Sequence, residues 1–443
     1  MKIAILGYGV EGKAIENYFK THPYDDPSKN LHVEPTGLEL TVFDKFDADN
    51  LPDLSSFDVV FRSPSVRPPV QPDAFELLKN PSLIPEKPVW TSSTRYFYNL
   101  VDRNHIIGIT GTKGKGTTCS ITTALLKNLG YRVHLVGNIG TPAITALDNI
   151  IAEPDTDYFV VYEMSSFQLW DLEKSPHVAA VLRISPDHLD VHRDFNDYVN
   201  AKSNIARHQV PGDYCIYYVN NADSVKTAEY SDGDLIPYPL VENREKLDKL
   251  LDNLQIPGAH NRENAEAALE VVAAALKMTL DQLINAHHNQ LTQALHDFKA
   301  LPHRIQFVRE LNQVSYYDDN YSSALPATEV AIKTFADRPV VLIAGGKDRH
   351  LDLTNHKKIF FESPNVKKVI LIGELKQQLA EGVRPEKYDF ADSLAEAVEK
   401  ARFEAEKFDS AVVLMSPGAA SFDMFENFGD RGDKFQAIVR ELK

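Results

Sequence analysis

Short apolar runs recur along the chain, and glycine-rich turns and helical patterns follow them. This alternation of strand, turn and helix is typical of parallel α/β domains. The runs that most plainly begin such units are Lys2–Leu6, Ile106–Ile109 and Val340–Ala344. Because each of them would lie in a separate sheet, the pattern predicts an α/β protein of three domains.

The domain boundaries should fall where a helical pattern gives way to the next glycine-rich strand. One such place lies near 101–104, and another lies near 301–304, after the helical stretch Asn264–Phe298. The length agrees, since 443 residues correspond to about three domains at roughly 150 residues each. The predicted domains are 1–102, 103–303 and 304–443.

Composition excludes several partners. Hydrophobic residues make up 43% of the chain and charged residues 25%, which is ordinary for a folded globular protein. Acidic residues outnumber basic residues by 63 to 47, which gives a net charge of −16. A chain this acidic repels a phosphate backbone, so we expect neither nucleic acid nor insertion into an anionic membrane.

The two cysteines, Cys119 and Cys215, lie far apart and in no CxxC pattern. This excludes a disulfide scaffold and a cysteine-rich zinc site, and it fits a reducing compartment. The apolar start is too short for a signal-peptide core, and no run approaches the length of a membrane span. We therefore expect a cytoplasmic protein.

The first domain carries a GxGxxG pattern at Gly7–Gly12, between a strand and a helical pattern. Such a turn lets a phosphate approach bare backbone at a helix N-terminus. Two further strands follow, and Thr21–Pro35 looks like an inserted loop before the first of them. We expect a nucleotide or nucleotide-sugar here, with NAD(P) or a purely structural turn as alternatives. The candidate contacts are Gly9, Val10, Asp44, Lys45 and Ser63.

The second domain begins with a P-loop variant, Thr110–Thr118, between an apolar strand and a helix. Its glycines let backbone N–H groups hold phosphate oxygens, and Lys115 can place a charge on the β- and γ-phosphates. The Thr117 hydroxyl can coordinate Mg²⁺. A glycine-rich turn without a ligand is the alternative, but the lysine and paired threonines favour ATP. The candidate nucleotide contacts are Gly111, Thr112, Gly114, Lys115, Gly116, Thr117 and Thr118.

Two further strands of this domain end in candidate site residues. Phe159–Tyr162 ends at Glu163, and Val178–Ile184 runs into a loop that contains His188. Because ligands bind at the carboxyl ends of parallel strands, Glu163 is a candidate Mg²⁺ ligand, directly or in support. A solvated acid and a structural histidine are the alternatives.

These segments together resemble the Mur ligase family, the ATP-dependent amino-acid ligases of peptidoglycan precursor synthesis. The P-loop form alone is shared with folylpolyglutamate synthases. Additional segments are similar to the D-glutamate-adding members of the family: Gly137–Gly140, Glu163–Leu169, Asp187–Asp190 and Ser416–Phe425. The resemblance implies a Rossmann-like N-terminal domain, a central P-loop ATPase domain with a parallel sheet, and a Rossmann-like C-terminal domain.

The resemblance implies an amide ligase that adds D-glutamate to UDP-N-acetylmuramoyl-L-alanine through an acyl phosphate, using ATP and Mg²⁺. We expect a monomer whose domains close on the substrates. A related ligase that adds L-glutamate or another amino acid, a polyglutamate-type synthetase and a P-loop ATPase or nucleotide switch are the alternatives.

Roles for individual residues also come from the resemblance. Lys202 stands at the place of a family lysine that is carbamylated and helps to hold Mg²⁺. Asn138 and His188 would lie near the muramoyl substrate and the transferred phosphate, and His188 is also a candidate base. Asn261 and Asn264 would reach the nucleotide. The implied catalytic residues are Lys115, Glu163, His188 and Lys202, and the implied metal ligands are Thr117, Glu163 and Lys202.

In the third domain, Arg304 would contact the ATP phosphates and Asp319 would lie near the nucleotide. Arginine suits the first task because its planar fork can pair two phosphate oxygens. Arg349 matches the family's basic residue for the glutamate carboxylate, with Lys347 as the alternative if the loop is shifted. Ser421 and Phe428 would complete that pocket.

The chain departs from the D-glutamate-adding members in the loop Asp318–Ala324. Tyr321 stands at the lysine position and Ser323 at the threonine position. In the first domain, Thr94 and Arg95 replace an acidic pattern. The resemblance therefore leaves open whether the amino acid is D-glutamate, L-glutamate or another.

Overall fold

The structure is a computed structural model that describes residues 1–46, 52–68, 88–154, 157–239 and 244–443. The fold is mixed α/β with parallel sheets, which confirms the predicted class. The chain divides into two compact units. The first comprises Met1–Asn253 with Arg262–His296, and the second comprises Leu254–Asn261 with Asp297–Lys443.

The first unit begins with a small parallel sheet. Its strands and helices are β1 (Lys2–Leu6), α1 (Val10–Phe19), β2 (Tyr24–Asp26), β3 (Leu31–Val33), β4 (Glu39–Phe43), β5 (Val59–Arg62), β6 (Val89–Ser92) and α2 (Ser93–Leu100). Four of these strands are parallel and lie in the order β4-β1-β5-β6. The carboxyl ends of β4, β1 and β5 therefore meet at one edge.

The predicted inserted loop at 21–35 is wrong in one respect, because it contains the antiparallel pair β2–β3. The reason is tertiary packing. Tyr24 is buried against Phe19, Phe61 and Tyr96, with ring centroids 5.5–6.4 Å apart. This aromatic cluster gives a short polar segment an anchor that its own pattern does not reveal.

The rest of the first unit is built on a six-stranded parallel sheet in the order β12-β11-β10-β7-β9-β8. Its strands are β7 (Ile106–Thr110), β8 (Arg132–Gly137), β9 (Tyr158–Glu163), β10 (Val178–Val181), β11 (Tyr214–Tyr218) and β12 (Asp234–Tyr238). Strands β7 and β10 are buried at every residue, as expected where helices cover both faces of a parallel sheet.

Helices connect and cover these strands. They are α3 (Lys115–Asn128), α4 (Ala143–Ile151), α5 (Ser166–Leu169), α6 (Phe195–Arg207), α7 (Ala222–Ala228), α8 (Arg244–Leu251), α9 (Ala259–Ala275) and α10 (Leu280–Asp297). Two predicted elements differ from this. The helical stretch at 264–298 is two helices, with Lys277 at φ +56° between them. The predicted strand at 178–184 ends at Val181, because Arg183 turns its carbonyl to Thr112 N–H (2.8 Å) instead.

The second unit contains a six-stranded sheet in the order β13-β14-β18-β15-β16-β17, in which β13 alone is antiparallel among the described strands. Its elements are β13 (Gln306–Leu311), β14 (Val314–Asp318), α11 (Leu325–Thr334), β15 (Val340–Gly345), α12 (Thr354–Glu362), β16 (Val366–Ile372), α13 (Lys376–Ala380), β17 (Tyr388–Phe390), α14 (Leu394–Ala405), β18 (Val412–Met415) and α15 (Phe428–Glu441).

Both faces of this sheet are apolar and covered. Leu342 and Leu414 belong to one buried cluster, while Val341 and Val413 belong to the other. Alternation along each strand places neighbouring residues in different layers. Within the described ranges, no helix combines the length and the apolar character that crossing a membrane requires.

Candidate active site

The predicted phosphate loop joins β7 to α3 in the first unit. Gly111 and Gly114 have φ of +148° and +88°, a region that glycine adopts without strain. A methyl group at Gly114 would lie 2.4 Å from Oδ1 of Asn264, so close packing also requires glycine there. The structure therefore brings Asn264, a predicted nucleotide contact, against the loop.

The loop lysine is folded onto its own backbone. Nζ of Lys115 donates to the carbonyl oxygens of Gly111 (3.1 Å) and Thr112 (3.0 Å). The positive charge thus lies at the N-terminus of α3, where backbone N–H groups favour an anion. This arrangement can hold a phosphate chain.

The threonines of the loop have different environments. The Thr112 hydroxyl donates to Ser185 O and accepts from Ser185 N–H, both at 2.9 Å, so it secures the loop. Thr117 is partly exposed, which leaves its hydroxyl accessible. Thr118 is completely buried, and its backbone N–H donates to Gly114 O at 2.9 Å in the first turn of α3.

Lys202 of α6 lies beneath this loop and is 1% exposed. Its Nζ donates to Gly111 O at 2.8 Å, so Lys115 and Lys202 share one carbonyl. Burial and then the charge of Lys115 hold the pKa of Lys202 well below its usual range, while Asp187 and Glu163 oppose this effect. The cause is physical, since a cation loses hydration on burial and a second cation repels it. These effects favour the neutral amine.

Glu163 and Asn138 meet at the carboxyl edge of the same sheet. Glu163 ends β9 and is almost fully buried, and its carbonyl oxygen accepts from Asn138 N–H at 3.2 Å. The Cys119 thiol lies in the field of Glu163 and Lys115, and burial raises its pKa well above the ordinary value. Lys115, Glu163, Lys202 and Asn138, all predicted site residues, therefore lie around the carboxyl edge of this sheet.

His188 stands on the loop after β10. It is exposed, has φ of +54°, and its ring lies 4.9 Å from the ring of Phe167. The next histidine differs, because His192 is buried and bonded to Ser166 Oγ (2.9 Å) and Asp197 (3.2 Å). His188 is thus the histidine of this loop that a ligand can reach.

The candidate contacts of the first sheet cluster at its carboxyl edge. Gly7 N–H donates to Phe43 O at 2.9 Å, and Ser63 Oγ donates to Gly7 O at 2.6 Å. These bonds tie the ends of β1, β4 and β5 together. Gly9, Val10, Asp44 and Lys45 are exposed or open around this edge, while Ser63 is buried.

Sequence reasoning missed the polar contacts that attach this sheet to the P-loop region. The Glu11 carboxylate accepts from Gln168 Nε2 at 2.7 Å and from the Ser93 hydroxyl, and burial raises its pKa. Arg62 is completely buried and its Nε donates to Asp171 at 2.9 Å. The available signal was an acid inside a glycine-rich loop and an arginine at the end of an apolar strand.

The two residues noted as departures in the first domain are structural here. Thr94 is buried, with its hydroxyl 3.0 Å from the Tyr162 hydroxyl. Arg95 forms an ion pair with Glu173 at 2.6 Å. Neither of them lies in the cluster around Gly7.

In the second unit, Arg304 projects from a turn before β13 that rests on a buried pair of aspartates. His303 Nδ1 lies 2.7 Å from Asp318 Oδ2, and Ile305 N–H donates to Asp319 Oδ1 at 3.2 Å. Burial raises the pKa of Asp319 to about 7, whereas hydrogen bonds from His303 and its neighbours hold the pKa of Asp318 below its usual range despite burial. Asp319 therefore supports Arg304 from within the fold.

The loops after β15 and β18 bring two of the residues around the predicted glutamate pocket, Lys347 and Ser421, close to each other. Lys347 N–H donates to Ala420 O at 2.8 Å, next to the buried Ser421. The Lys347 ammonium is paired with Glu374 at 2.7 Å, while Arg349 is exposed. Because Lys347 is paired, and Arg349 has no ion pair within the described ranges, Arg349 is favoured as the cation for a carboxylate here. Phe428 begins α15.

Asn261 and Asn264, predicted as one group, fall in different units. Asn261 is buried in the second unit, where its Nδ2 donates to Pro257 O at 2.7 Å.

Comparison with known proteins identifies the family. Residues 109–272 match the family model of the Mur ligase middle domain, and residues 303–418 match the Mur ligase, glutamate ligase domain. The chain is 32% identical to the UDP-N-acetylmuramoylalanine--D-glutamate ligase of Clostridium tetani, over 100% of this chain and 97% of that protein. The chain belongs to the Mur ligase family. The predicted resemblance is confirmed over the full length.

Solved structures share the Mur ligase fold. The UDP-N-acetylmuramoylalanyl-D-glutamyl-2,6-diaminopimelate--D-alanyl-D-alanyl ligase of Acinetobacter baumannii has a TM-score of 0.57 at 15% identity, covering 97% of this chain and 98% of that chain. The folylpolyglutamate synthase of Mycobacterium tuberculosis, solved with ADP and AMPPCP, has a TM-score of 0.53 at 14% identity, covering 75% and 92%. At these identities the likeness concerns the fold alone.

Proposed function

We propose that this Mur ligase is an ATP-dependent amide ligase that joins D-glutamate to the alanyl carboxylate of UDP-N-acetylmuramoyl-L-alanine in peptidoglycan precursor synthesis. The observation that carries the chemistry is the cluster at the P-loop, where Lys115 and Lys202 share the Gly111 carbonyl beside Glu163. Full-length similarity to relatives named for this reaction supports the choice of substrates.

The proposed reaction has two steps. A carboxylate oxygen of the substrate attacks the γ-phosphorus of ATP, ADP leaves, and an acyl phosphate forms. The neutral amine of glutamate then attacks the acyl carbon, and phosphate leaves from a tetrahedral intermediate. Phosphoryl transfer depends on positioning and charge neutralisation, which are the roles we assign to Lys115 and Arg304.

The second step needs a base, because the amine must lose one proton as the amide forms. His188 is our candidate, since it is the exposed histidine of the loop after β10 and its Phe167 neighbour limits how its ring can lie. A role in substrate binding alone is the alternative for His188.

The oxygen donors at the P-loop fit Mg²⁺ if Lys202 carries a carbamate. Mg²⁺ takes oxygen ligands, and the Thr117 hydroxyl and Glu163 carboxylate supply such atoms. In the part of the chain that the structure describes, no group of three or more His, Cys, Asp or Glu side chains could hold a metal. Lys202 fits as a third ligand when CO₂ converts its neutral amine to a carbamate, with release of a proton. Bound Mg²⁺ would neutralise phosphate charge.

We assign the glutamate carboxylate to Arg349, with Ser421 and Phe428 beside it. We infer that the UDP-sugar binds at the carboxyl edge of the first sheet, at Gly9, Val10, Asp44, Lys45 and Ser63. The nucleotide roles of Asn261, Asn264 and Asp319 belong to the same proposal. The net charge of −16 means that local cations and helix N-termini must attract these anions.

The organisation that goes with this function is three domains, 1–102, 103–303 and 304–443, with the first and last Rossmann-like around their own sheets. We further propose a cytoplasmic monomer that binds no nucleic acid. Sedimentation of the purified protein at micromolar concentration tests the monomer.

An omission series tests the function. Purified protein with ATP, Mg²⁺, UDP-N-acetylmuramoyl-L-alanine and D-glutamate should release phosphate, and leaving out any one component should stop the release. Replacing D-glutamate by L-glutamate and by other amino acids tests the pocket. Phosphate release without either acceptor would instead support an ATPase or nucleotide switch.

A further inference from the structure

The backbone around Arg304 is strained on both sides. His303 has φ of +59° and Ile305 has φ of +45°. A β-branched residue such as isoleucine rarely adopts a left-handed conformation, because its side chain crowds the following carbonyl. Strain of this kind persists only where surrounding contacts hold it.

Buried polar contacts hold this turn. His303 is bonded to Asp318, and Ile305 N–H is bonded to Asp319. The carbonyl of His303 in turn accepts from Tyr321 N–H at 3.0 Å. The turn that presents Arg304 is thus fastened to the loop that begins with Asp318 and contains Tyr321.

The Arg304 guanidinium lies over the aromatic residue of that loop, Tyr321. Its Cζ is 3.8 Å from the centroid of the Tyr321 ring, and the Tyr321 ring meets Phe428 edge-on at 5.1 Å. Arg304 is half-buried, yet within the described ranges its guanidinium makes no ion pair and no hydrogen bond. Stacking uses the face of a guanidinium and leaves the N–H groups in its plane free.

Tyr321 is 47% exposed, so it is not a core residue that packing alone would explain. A lysine at this position would add a charge beside Arg304 and repel it. A tyrosine adds no charge, but its ring attracts the guanidinium and limits its orientation. With tyrosine in place of lysine, the loop has one cation fewer, but the ring holds the remaining cation, Arg304, in one orientation.

We propose that Tyr321 is a positioning residue, whose ring holds the plane of the Arg304 guanidinium so that its N–H groups pair two oxygens of a phosphate. The inference rests on the proposed function, in which Arg304 contacts the phosphates of ATP. It assigns to this chain a nucleotide affinity that depends on the ring of Tyr321 and not on its hydroxyl.

The test compares Tyr321→Phe, which keeps the ring, with Tyr321→Ala, which removes it. We expect Tyr321→Ala to raise the KM for ATP about 5- to 10-fold, the range of a partly exposed cation–π contact, with kcat and the KM for glutamate within about twofold. Tyr321→Phe should keep the wild-type KM for ATP. Phe403→Ala is the matched control, because it removes an exposed ring under Lys407 in the same unit.

A second pair of variants tests whether Tyr321 acts through Arg304. In an Arg304→Ala background, Tyr321→Ala should have no further effect on the KM for ATP. An unchanged KM in Tyr321→Ala, an equal loss in Tyr321→Phe, or a rise confined to the KM for glutamate would overturn the inference.

Calorimetric titration with a non-hydrolysable ATP analogue separates this inference from the proposed function. Tyr321→Ala should raise the Kd of the analogue by the same factor, whichever amino acid the enzyme uses. A wild-type protein that binds the analogue but forms no amide would refute the proposed function and leave this readout intact. An unchanged Kd in Tyr321→Ala would refute the role of Tyr321.

Discussion

The P-loop of the first unit and the Arg304 turn of the second both present a cation, but they are built differently. Lys115 donates to carbonyls three and four residues earlier in its own loop. Arg304 instead lies on Tyr321, in a turn held by Asp318 and Asp319. The first cation is therefore placed by a local motif and the second by tertiary contacts. Their mutational responses should differ accordingly.

The two regions also differ in the charge that surrounds each cation. Lys115 shares its carbonyl oxygen with the buried amine of Lys202, whose pKa is held well below its usual range, so the positive charge at the P-loop is that of Lys115. Arg304 has an aromatic ring and a buried aspartate pair beneath its turn. The first arrangement places one charge at a helix N-terminus, while the second orients a guanidinium with an aromatic ring. Both regions are local positive sites in a chain whose net charge is −16.

The largest effect should come from Lys115→Ala, which removes the charge at the helix N-terminus. We expect kcat/KM for ATP to fall by roughly 10³-fold, the scale of losing a charge-stabilising group in a phosphoryl transfer. Steady-state kinetics measures this. Lys113→Ala is the matched control, because Lys113 is exposed in the same loop, 3.7 Å from Asp187. Equal losses in the two variants would show that the loop tolerates no substitution at all. The charge of Lys115 would then have no role beyond that of Lys113.

Lys202→Ala should rank next, with a loss of about 10²-fold in kcat, because it removes the proposed carbamate. Added formate or acetate should restore part of the activity, since a small carboxylate can occupy the space and supply oxygen ligands. Lys202→Arg serves as the control, because arginine forms no such carbamate and leaves no space for a small carboxylate. Full activity in Lys202→Ala, or no rescue by any short acid, would count against the carbamate.

His303→Gln should loosen the Arg304 turn and lower the thermal midpoint, with a loss of about 1–3 kcal/mol from a buried charged hydrogen bond. Asp318 raises the pKa of His303, so this stabilisation is complete below about pH 6.5 and is lost as the pH rises through the raised value. Asp318 has a lowered pKa, so the stabilisation is present above about pH 4 and is lost as the pH falls through the lowered value.

Calorimetry of wild type and His303→Gln from pH 3 to pH 9 checks this window. The difference in stability should be largest between about pH 4 and 6.5. A difference that does not change with pH would show that His303 acts by packing and not by its charge.

Arg349→Ala should have the smallest effect, a rise of about tenfold in the KM for glutamate, because an exposed arginine loses much of its attraction to solvent screening. Lys347→Ala should change this KM less than threefold, since Lys347 is already paired with Glu374. The reverse order would assign the carboxylate to Lys347.

What could be predicted from the sequence follows the same division between local and tertiary contacts. The P-loop, Glu163 and the strand ends are contiguous patterns, and the structure brings them together at one sheet edge. The polar contacts of Glu11 with Gln168 and of Arg62 with Asp171 join residues more than 100 positions apart, and no local pattern indicates them. The strained turn at Arg304 is hidden for the same reason, because its fastening residues follow later in the chain.

Tyr321 shows how a departure from a family pattern can be informative. From the sequence, the tyrosine is only a missing lysine. In the structure, its ring is the surface on which Arg304 lies. Which residue Tyr321 contacts depends on the backbone turn that carries Arg304. That turn is set by His303 and Ile305, which both have positive φ. Rules based on spacing do not predict such a conformation for isoleucine.

Activation of a substrate carboxylate by ATP is tested most directly by following one oxygen atom. UDP-N-acetylmuramoyl-L-alanine labelled with ¹⁸O in its alanyl carboxylate is incubated with enzyme, ATP, Mg²⁺ and D-glutamate, and the released phosphate is analysed by mass spectrometry. We predict one ¹⁸O in each phosphate, because the acyl phosphate carries a carboxylate oxygen to phosphorus. Unlabelled phosphate would contradict it, since phosphate would then come from attack of water on ATP.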